Sequence, residues 1–370
     1  MARNRDTDAC PGALSLHQAA DGALARIRLP GGVLTSAQLQ ALAVLARDAG
    51  SGALELTSRG NVQIRGITDV ALVADTVAAV GLLPSATHEK VRNIVASPLS
   101  GRVGDHADVR GVTEELDAAL QSDPELAQLP GRFWFGLDDG RGDIAGLATD
   151  LGARFSGQTA ELQVTGRGTG LHVPAAGVVA ALLDGARRFL EIRGSAWRAS
   201  ELTDPAALFD HAELGPPTDP VSIPPVGWFT QNDGRITLGA AVALGVLPAR
   251  TAEFLAAIEA PVVVTPWRSV LVCDLDEGVA DTALRVLAPM DLIFDENSPW
   301  LSVSSCTGSP GCDRSLADVR ADAIRAVASG DTPDAGHRHY VGCERACGSP
   351  VDGEVLVATG DGYRARERHP

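Results

Sequence analysis

Cys306-Thr307-Gly308-Ser309-Pro310-Gly311-Cys312 and, after thirty residues, Cys343-Glu344-Arg345-Ala346-Cys347 place four of the six cysteines of a 370-residue chain in two short loops. Gly, Pro and Ser flank them rather than Leu or Val, so buried thiols acting as small hydrophobes are the poorer account. In a reducing compartment, clustered cysteines point to metal ligation or redox chemistry rather than to structural disulfides. Zinc pairs usually leave two to four residues between cysteines, and a five-residue gap fits less well. A [4Fe–4S] cube is bulkier, and glycine lets backbone amides approach its sulfurs. The spacing favours iron–sulfur and leaves zinc open. Cys306, Cys312, Cys343 and Cys347 are the candidate ligands; Cys10 and Cys273 stand apart from them.

Working outward, the first cysteine loop has a cysteine-free counterpart. Ala96-Ser97-Pro98-Leu99-Ser100-Gly101 lies against Cys306 to Gly311, and Phe133 to Asp138 lies against His339 to Glu344. Upstream, Val33-Leu34-Thr35 matches Arg235-Ile236-Thr237, and Leu54-Glu55-Leu56-Thr57 matches Val262-Val263-Val264-Thr265. Four matches in one order mark a duplication of residues 20–150 over 222–365. Each copy reads as strand, helix, strand, then a loop-rich strand–helix–strand unit. Residues 33–49 are expected to form a helix capped by Thr35 or Ser36, with Leu39, Leu42, Leu45 and Ala46 on one face. Residues 314–328 are expected to form another, with Leu316, Val319, Ile324 and Val327 inward. Pro216 to Pro225, with five prolines, reads as the linker. Two pseudosymmetric halves predict a cleft between them.

Thr57-Ser58-Arg59-Gly60-Asn61-Val62-Gln63-Ile64-Arg65 alternates, so Arg59, Asn61, Gln63 and Arg65 share one face and Val62 and Ile64 the other. The second copy replaces this row with Trp267, Ser269 and Leu271. An asymmetric polar face in a duplicated scaffold points to an anionic ligand held by one half. Arg92, Asn93, Arg102 and Arg132 are further candidates. The net charge is −16, which argues against nucleic acid as a partner. Yet 30 of the 31 Lys and Arg residues are arginine, whose planar fork suits carboxylates. The polar stretch Met1 to Cys10 predicts no secretory signal. The longest nearly apolar run, Val173 to Leu183, falls short of the roughly 18 residues that cross a bilayer. No membrane partner and a cytoplasmic location are expected.

Thr57 to Gln63, Arg92-Asn93 and the two cysteine pairs together resemble the sirohaem nitrite/sulfite reductase superfamily. Within it, Ala9-Cys10-Pro11-Gly12 and Leu129-Pro130-Gly131-Arg132-Phe133 are similar to the precorrin-3B synthase branch. The resemblance spans roughly residues 20–360. It implies an α+β, internally duplicated nitrite/sulfite reductase-like fold with pseudo-twofold symmetry. The implied layout is an N-terminal tail (1–19), a ferredoxin-like half-module (20–84) and a reductase-type module lacking cysteines (85–160). A connecting strand–helix segment and linker (161–221), a second ferredoxin-like half-module (222–288) and a [4Fe–4S]-binding module (289–370) complete it.

The resemblance also implies that Cys306, Cys312, Cys343 and Cys347 hold a [4Fe–4S] cluster. Arg59 and Arg92 match arginines that hold sirohaem in the reductases. The reductases' Lys-x-Lys falls on Arg132-Phe133-Trp134, so the second lysine is a tryptophan here, which weakens a nitrite or sulfite activity. The branch implies oxidation of precorrin-3A by dioxygen, with electrons from an NAD(P)H-linked or ferredoxin-type donor. The meso carbon between rings D and A is hydroxylated and a ring-A acetate closes a γ-lactone. The branch further implies a mononuclear non-haem iron, with ligands the sequence does not assign. Arg59, Asn61, Gln63, Arg65, Arg92, Asn93 and Arg132 are then the expected contacts to the polycarboxylate macrocycle. The alternatives are a sirohaem-dependent nitrite or sulfite reductase and a non-catalytic, metal-stabilised binding protein.

Overall fold

The computed structural model describes residues 8, 10–219, 224–350 and 353–366. Ala9 of the N-terminal motif and residues 220–223 of the proline-rich linker lie outside the described residues. The chain begins with β1 (His17–Ala19), β2 (Gly22–Ile27), β3 (Val33–Leu34), α1 (Ser36–Ala49), β4 (Ala53–Leu56), β5 (Val62–Ile67) and α2 (Val70–Ala79). Next come β6 (Ile94–Ala96), α3 (Arg110–Ser122), β7 (Phe135–Asp138), β8 (Leu151–Ser156), β9 (Thr159–Val164), β10 (Arg167–Pro174) and α4 (Val178–Ile192). The second half has β11 (Gly227–Thr230), β12 (Ile236–Val242), β13 (Val246–Pro248), α5 (Ala249–Ala256), β14 (Val262–Val264), β15 (Ser269–Leu275), α6 (Glu277–Leu287) and β16 (Leu292–Ile293). It closes with β17 (Val303–Ser305), α7 (Val319–Ser329), β18 (Arg338–Val341), β19 (Glu354–Thr359) and β20 (Gly362–Ala365).

The duplication is visible in the pairing. One sheet runs β1-β2-β5-β4-β13 and its counterpart β11-β12-β15-β14-β3, so each half lends one short strand to the other's sheet. A single apolar core serves both, with Leu39 and Leu42 of α1, Leu255 of α5, Ile64 of β5 and Val272 of β15 in it. The exchange depends on close backbone approach: Gly32, at φ +74°, would put a Cβ 2.0 Å from the carbonyl oxygen of Val264. The other two sheets repeat as well. In the sheet β10-β9-β8-β7-β6, the pairs β6–β7 and β7–β8 are parallel and β8–β9 antiparallel. In β17-β18-β19-β20, the first two pairs are parallel and the last antiparallel.

Sequence expectations hold for α1, where Thr35 and Gln38 form a reciprocal capping box and the four expected residues are buried. Three expectations need correction. The helix expected over 314–328 starts at Val319, because Asp318 caps it by accepting from the Ala321 amide. Leu316 falls outside the helix and is exposed, and Ile324, within it, is exposed because Val319, Ala323 and Ala326 form the buried face. The segment expected to connect the halves is part of the second sheet: β9, β10 and α4 share the core of Phe133, Phe135 and Leu151. The register of the repeat also shifts. Val33-Leu34 corresponds to Val246-Leu247, each entering a helix, rather than to residues 235–237. No helix of the described residues is long and apolar enough to cross a membrane.

Candidate functional site

Cys306 follows β17 directly, and its amide donates to the Tyr340 carbonyl at 2.9 Å, continuing the pairing with β18. The Gly342 amide, on the loop after β18, donates to Cys306 Sγ at 3.3 Å. Cys343 and Cys347 stand on that same loop, closed by Ala346 N–H to the Cys343 carbonyl at 3.1 Å. Cys312 is returned there because the Leu316 amide donates to the Gly342 carbonyl at 2.9 Å. Burial holds the Cys306 and Cys347 thiols above the ordinary range, and neighbouring cysteines of the quartet add to the rise. Four free thiols from two adjacent loops, with a backbone amide turned to sulfur, fit a four-thiolate metal cluster.

The polar row beside the cysteine loops proves to be mainly a strut. Arg65 donates from Nε and Nη2 to Asp21 at 2.7 and 2.8 Å, and from Nη2 to the carbonyl of Gly311, inside the first cysteine loop, at 2.7 Å. Gln63 accepts from Arg26 at 3.0 Å and donates to Glu55 at 2.6 Å. Arg320 of α7 pairs with the same Glu55 carboxylate. Asn61 accepts from the Leu29 amide at 2.8 Å and donates to Asn93 at 3.1 Å. Asn93 donates in turn to the carbonyls of Lys90, Gly131 and Phe133. Arg92 makes a two-pronged pair with Asp117, both contacts at 2.7 Å. Asn61, Gln63, Arg65, Arg92 and Asn93, expected from the sequence to contact a ligand, are each held by these protein partners. Arg102 is likewise held by Asp274.

Arg59 and Arg132 differ, since among the described residues neither has an ion pair. Arg59 sits on a turn that the duplication preserves. Thr57 N–H to Asn61 O and Thr265 N–H to Ser269 O are both 2.9 Å, with Gly60 and Arg268 at φ +64° and +58°. Trp267 takes the place of Arg59 in the second copy. The Arg59 guanidinium lies 5.2 Å from the ring centre of Trp134, and Arg198 lies 5.5 Å from it. Arg132 lies 5.7 Å from the Trp197 ring and close enough to Cys347 to offset part of that thiol's upward shift.

Two arginines escaped the sequence reading. Arg26 and Arg28 flank the end of β2. Arg28 is 2% exposed, and none of its three guanidinium nitrogens has a hydrogen-bond partner among the described residues. Burial first, then the charges of Arg26 and Arg59, lower its pKa to about 9. Burial, Arg198 and Arg26 bring Arg59 to about 10. Their sequence signal was spacing: Leu24-Ala25-Arg26-Ile27-Arg28 puts two arginines two residues apart at the end of an otherwise apolar strand. An uncompensated buried ion costs several kcal/mol, so Arg28, with half-buried Arg26 and Arg59 beside it, fits an anionic ligand that neutralises it. Arg26 also feels Arg132, which links this arginine group to the cysteine loops.

The cysteine site has a counterpart in the first half. Ser97 N–H donates to the Leu137 carbonyl at 3.0 Å, as Cys306 does to Tyr340, and Asp139 N–H donates to Ser97 Oγ at 3.0 Å, as Gly342 does to Cys306 Sγ. Ser97 thus stands where the first cysteine would be, one residue on from the sequence match. Asp138, Asp139 and Asp143 gather there with carboxylate oxygens within 4.8 Å of one another. Four backbone amides already occupy Asp138, from Gly140, Gly142, Ile144 and Ala145. Asp139 binds Arg141 and Asp143 accepts from Ser97, so this trio is no ready cradle for the mononuclear iron.

The model of the nitrite/sulfite reductase ferredoxin-like half domain matches residues 17–74. A precorrin-3B synthase from Sinorhizobium sp is 27% identical over 376 residues, covering 96% of this chain and 81% of that protein. An assimilatory ferredoxin-dependent nitrite reductase of Haloferax mediterranei is 22% identical over 89% of this chain and 69% of its own length. A ferredoxin–nitrite reductase of Synechococcus elongatus is 34% identical over 32% of this chain and 25% of its own. The solved structure of the Mycobacterium tuberculosis NirA protein superposes with a TM-score of 0.78 at 18% identity, covering 94% of this chain and 77% of that one. The chain therefore has the nitrite/sulfite reductase-like fold, and its resemblance to precorrin-3B synthases extends along nearly its whole length.

Proposed function

We propose that the chain oxidises precorrin-3A to precorrin-3B, using dioxygen and electrons from an external donor. The observation that carries this reading is the unpartnered, buried Arg28 beside Arg26 and Arg59, in a basin that Arg132 joins to the four-thiol site. A polycarboxylate tetrapyrrole supplies the missing anions, each charge-assisted hydrogen bond contributing about 1.5–3 kcal/mol. Arg28 would take a carboxylate at depth, while Arg59 and Arg132 would orient others at the rim. A [4Fe–4S] cluster held by Cys306, Cys312, Cys343 and Cys347 supplies one-electron transfer when bound. Arg65 and Arg320 keep the cysteine module in register with the basin through Gly311 and Glu55. Trp134, where the reductases carry their second lysine, removes a cationic proton donor and disfavours reduction of a small oxyanion.

Anaerobically purified protein tests the reading. A broad brown absorbance without sharp Soret bands, with oxygen-dependent conversion of precorrin-3A that Cys306→Ser abolishes, is expected. Stoichiometric sirohaem bands would assign it to the reductases instead. A colourless zinc protein would leave the cysteines a structural role.

A further inference from the structure

Trp134 is 6% exposed, and its indole Nε1 is buried without a hydrogen-bond partner among the described residues. An indole N–H can only donate, and a buried one normally finds an acceptor. Leaving it unmade costs about 1–3 kcal/mol. The surroundings supply none from their side chains. Arg59 and Arg198 lie over the ring and are themselves donors, while Val95, Ile144 and Leu147 pack against it. Asp150, the nearby carboxylate, is already engaged: it takes Arg198 Nε at 2.7 and 2.8 Å, the Ala199 amide at 2.6 Å and the Trp134 amide at 3.0 Å. Asp150 thereby makes its ion pair with Arg198, and Arg59, on the same ring, has no ion pair of its own among the described residues.

From this arrangement we infer that Trp134 is a ligand-contacting residue, whose indole N–H donates to an acceptor, a carboxylate or ring carbonyl, that Arg59 draws in. The indole and Arg59 then form a two-donor clasp on one edge of the macrocycle. This inference rests on the tetrapyrrole reading above, and it makes Trp134 a specificity determinant, since a lysine here would offer a point charge without a flat face.

The test uses the full-length, cluster-loaded protein and metal-free sirohydrochlorin, a polycarboxylate tetrapyrrole, as probe. Trp134→Phe keeps a ring beneath both guanidiniums and deletes the one N–H. Its Kd for the probe should rise about 10-fold, as expected for one lost hydrogen bond to a charged group, with iron content unchanged. In protein labelled with 15N-indole, the Trp134 resonance, identified by its absence in the variant, should move downfield as the probe is added. Suppose wild type binds and Arg59→Ala weakens binding, yet Trp134→Phe binds equally well or the indole signal stays put. The donor role is then overturned while the basin reading stands. If wild type does not bind the probe, or Arg59→Ala binds as wild type does, the tetrapyrrole reading itself fails.

Discussion

Two buried charges set against their surroundings mark this protein at the scale of single residues. Arg28 has three buried guanidinium nitrogens and no acceptor for them among the described residues, a cost carried in the ligand-free state. Arg28→Met removes that charge at similar volume. It should raise the melting temperature of ligand-free protein by a few degrees and weaken sirohydrochlorin binding at least 10-fold, since a charged hydrogen bond is worth about 1.5–3 kcal/mol. Arg92 behaves oppositely, because it is paired: Arg92→Ala strands Asp117 and should cost about 3–5 kcal/mol of stability, read by denaturant unfolding. Asp143 is the second misfit. Burial raises its carboxyl to about 7, and the charges of Asp138 and Asp139 add to the rise. Between the unfolded carboxyl's value near 4 and pH 7, only the folded state keeps the proton, so stability falls as pH rises through that window, by up to about 1.4 kcal/mol per pH unit. Asp143→Asn should therefore be more stable than wild type at pH 8 and indistinguishable near pH 4 in thermal melts.

Among the elements, β5 and α7 matter for what they hold in place. Arg65 on β5 reaches into the cysteine module at the Gly311 carbonyl, and Arg320 on α7, within that module, reaches back to Glu55 on β4. Arg65→Ala should lower iron and inorganic sulfide per chain while leaving the two ferredoxin-like sheets folded; full cluster occupancy in that variant would deny the strut its role. The short α7 shows why sequence patterns misplace boundaries: Asp318 outcompetes the apolar rhythm by offering its carboxylate to the first turn. Leu316, apolar and three residues before the buried Val319, still ends up exposed.

At the scale of the molecule, the two halves are not separable units. Each of the two central sheets is completed by a strand from the other half, and both feed one core. Residues 1–219 alone would lack β13 and leave β3 unpaired, so they should be recovered soluble only when co-expressed with residues 220–370. Gly32→Ala strikes the same junction, forcing a methyl into the Val264 carbonyl, and should destabilise both sheets together in one unfolding transition.

The amino-acid sequence alone carried the duplication, the quartet of cysteines and the capped helix α1, because each of these is written in local spacing and periodicity. Period-two alternation likewise put Gln63 and Arg65 of β5 on one polar face, whereas Arg59 stands on the turn before the strand. It could not show that Arg65, Gln63 and Asn61 have partners in Asp21, Glu55 and Leu29, contacts that exist only once distant strands pair. Nor could it single out Arg28, whose guanidinium has no hydrogen-bond partner among the described residues. Partnership between charges is a property of three-dimensional neighbourhood, and that is why the tertiary structure, and not the chain's order, decided which arginines have protein partners.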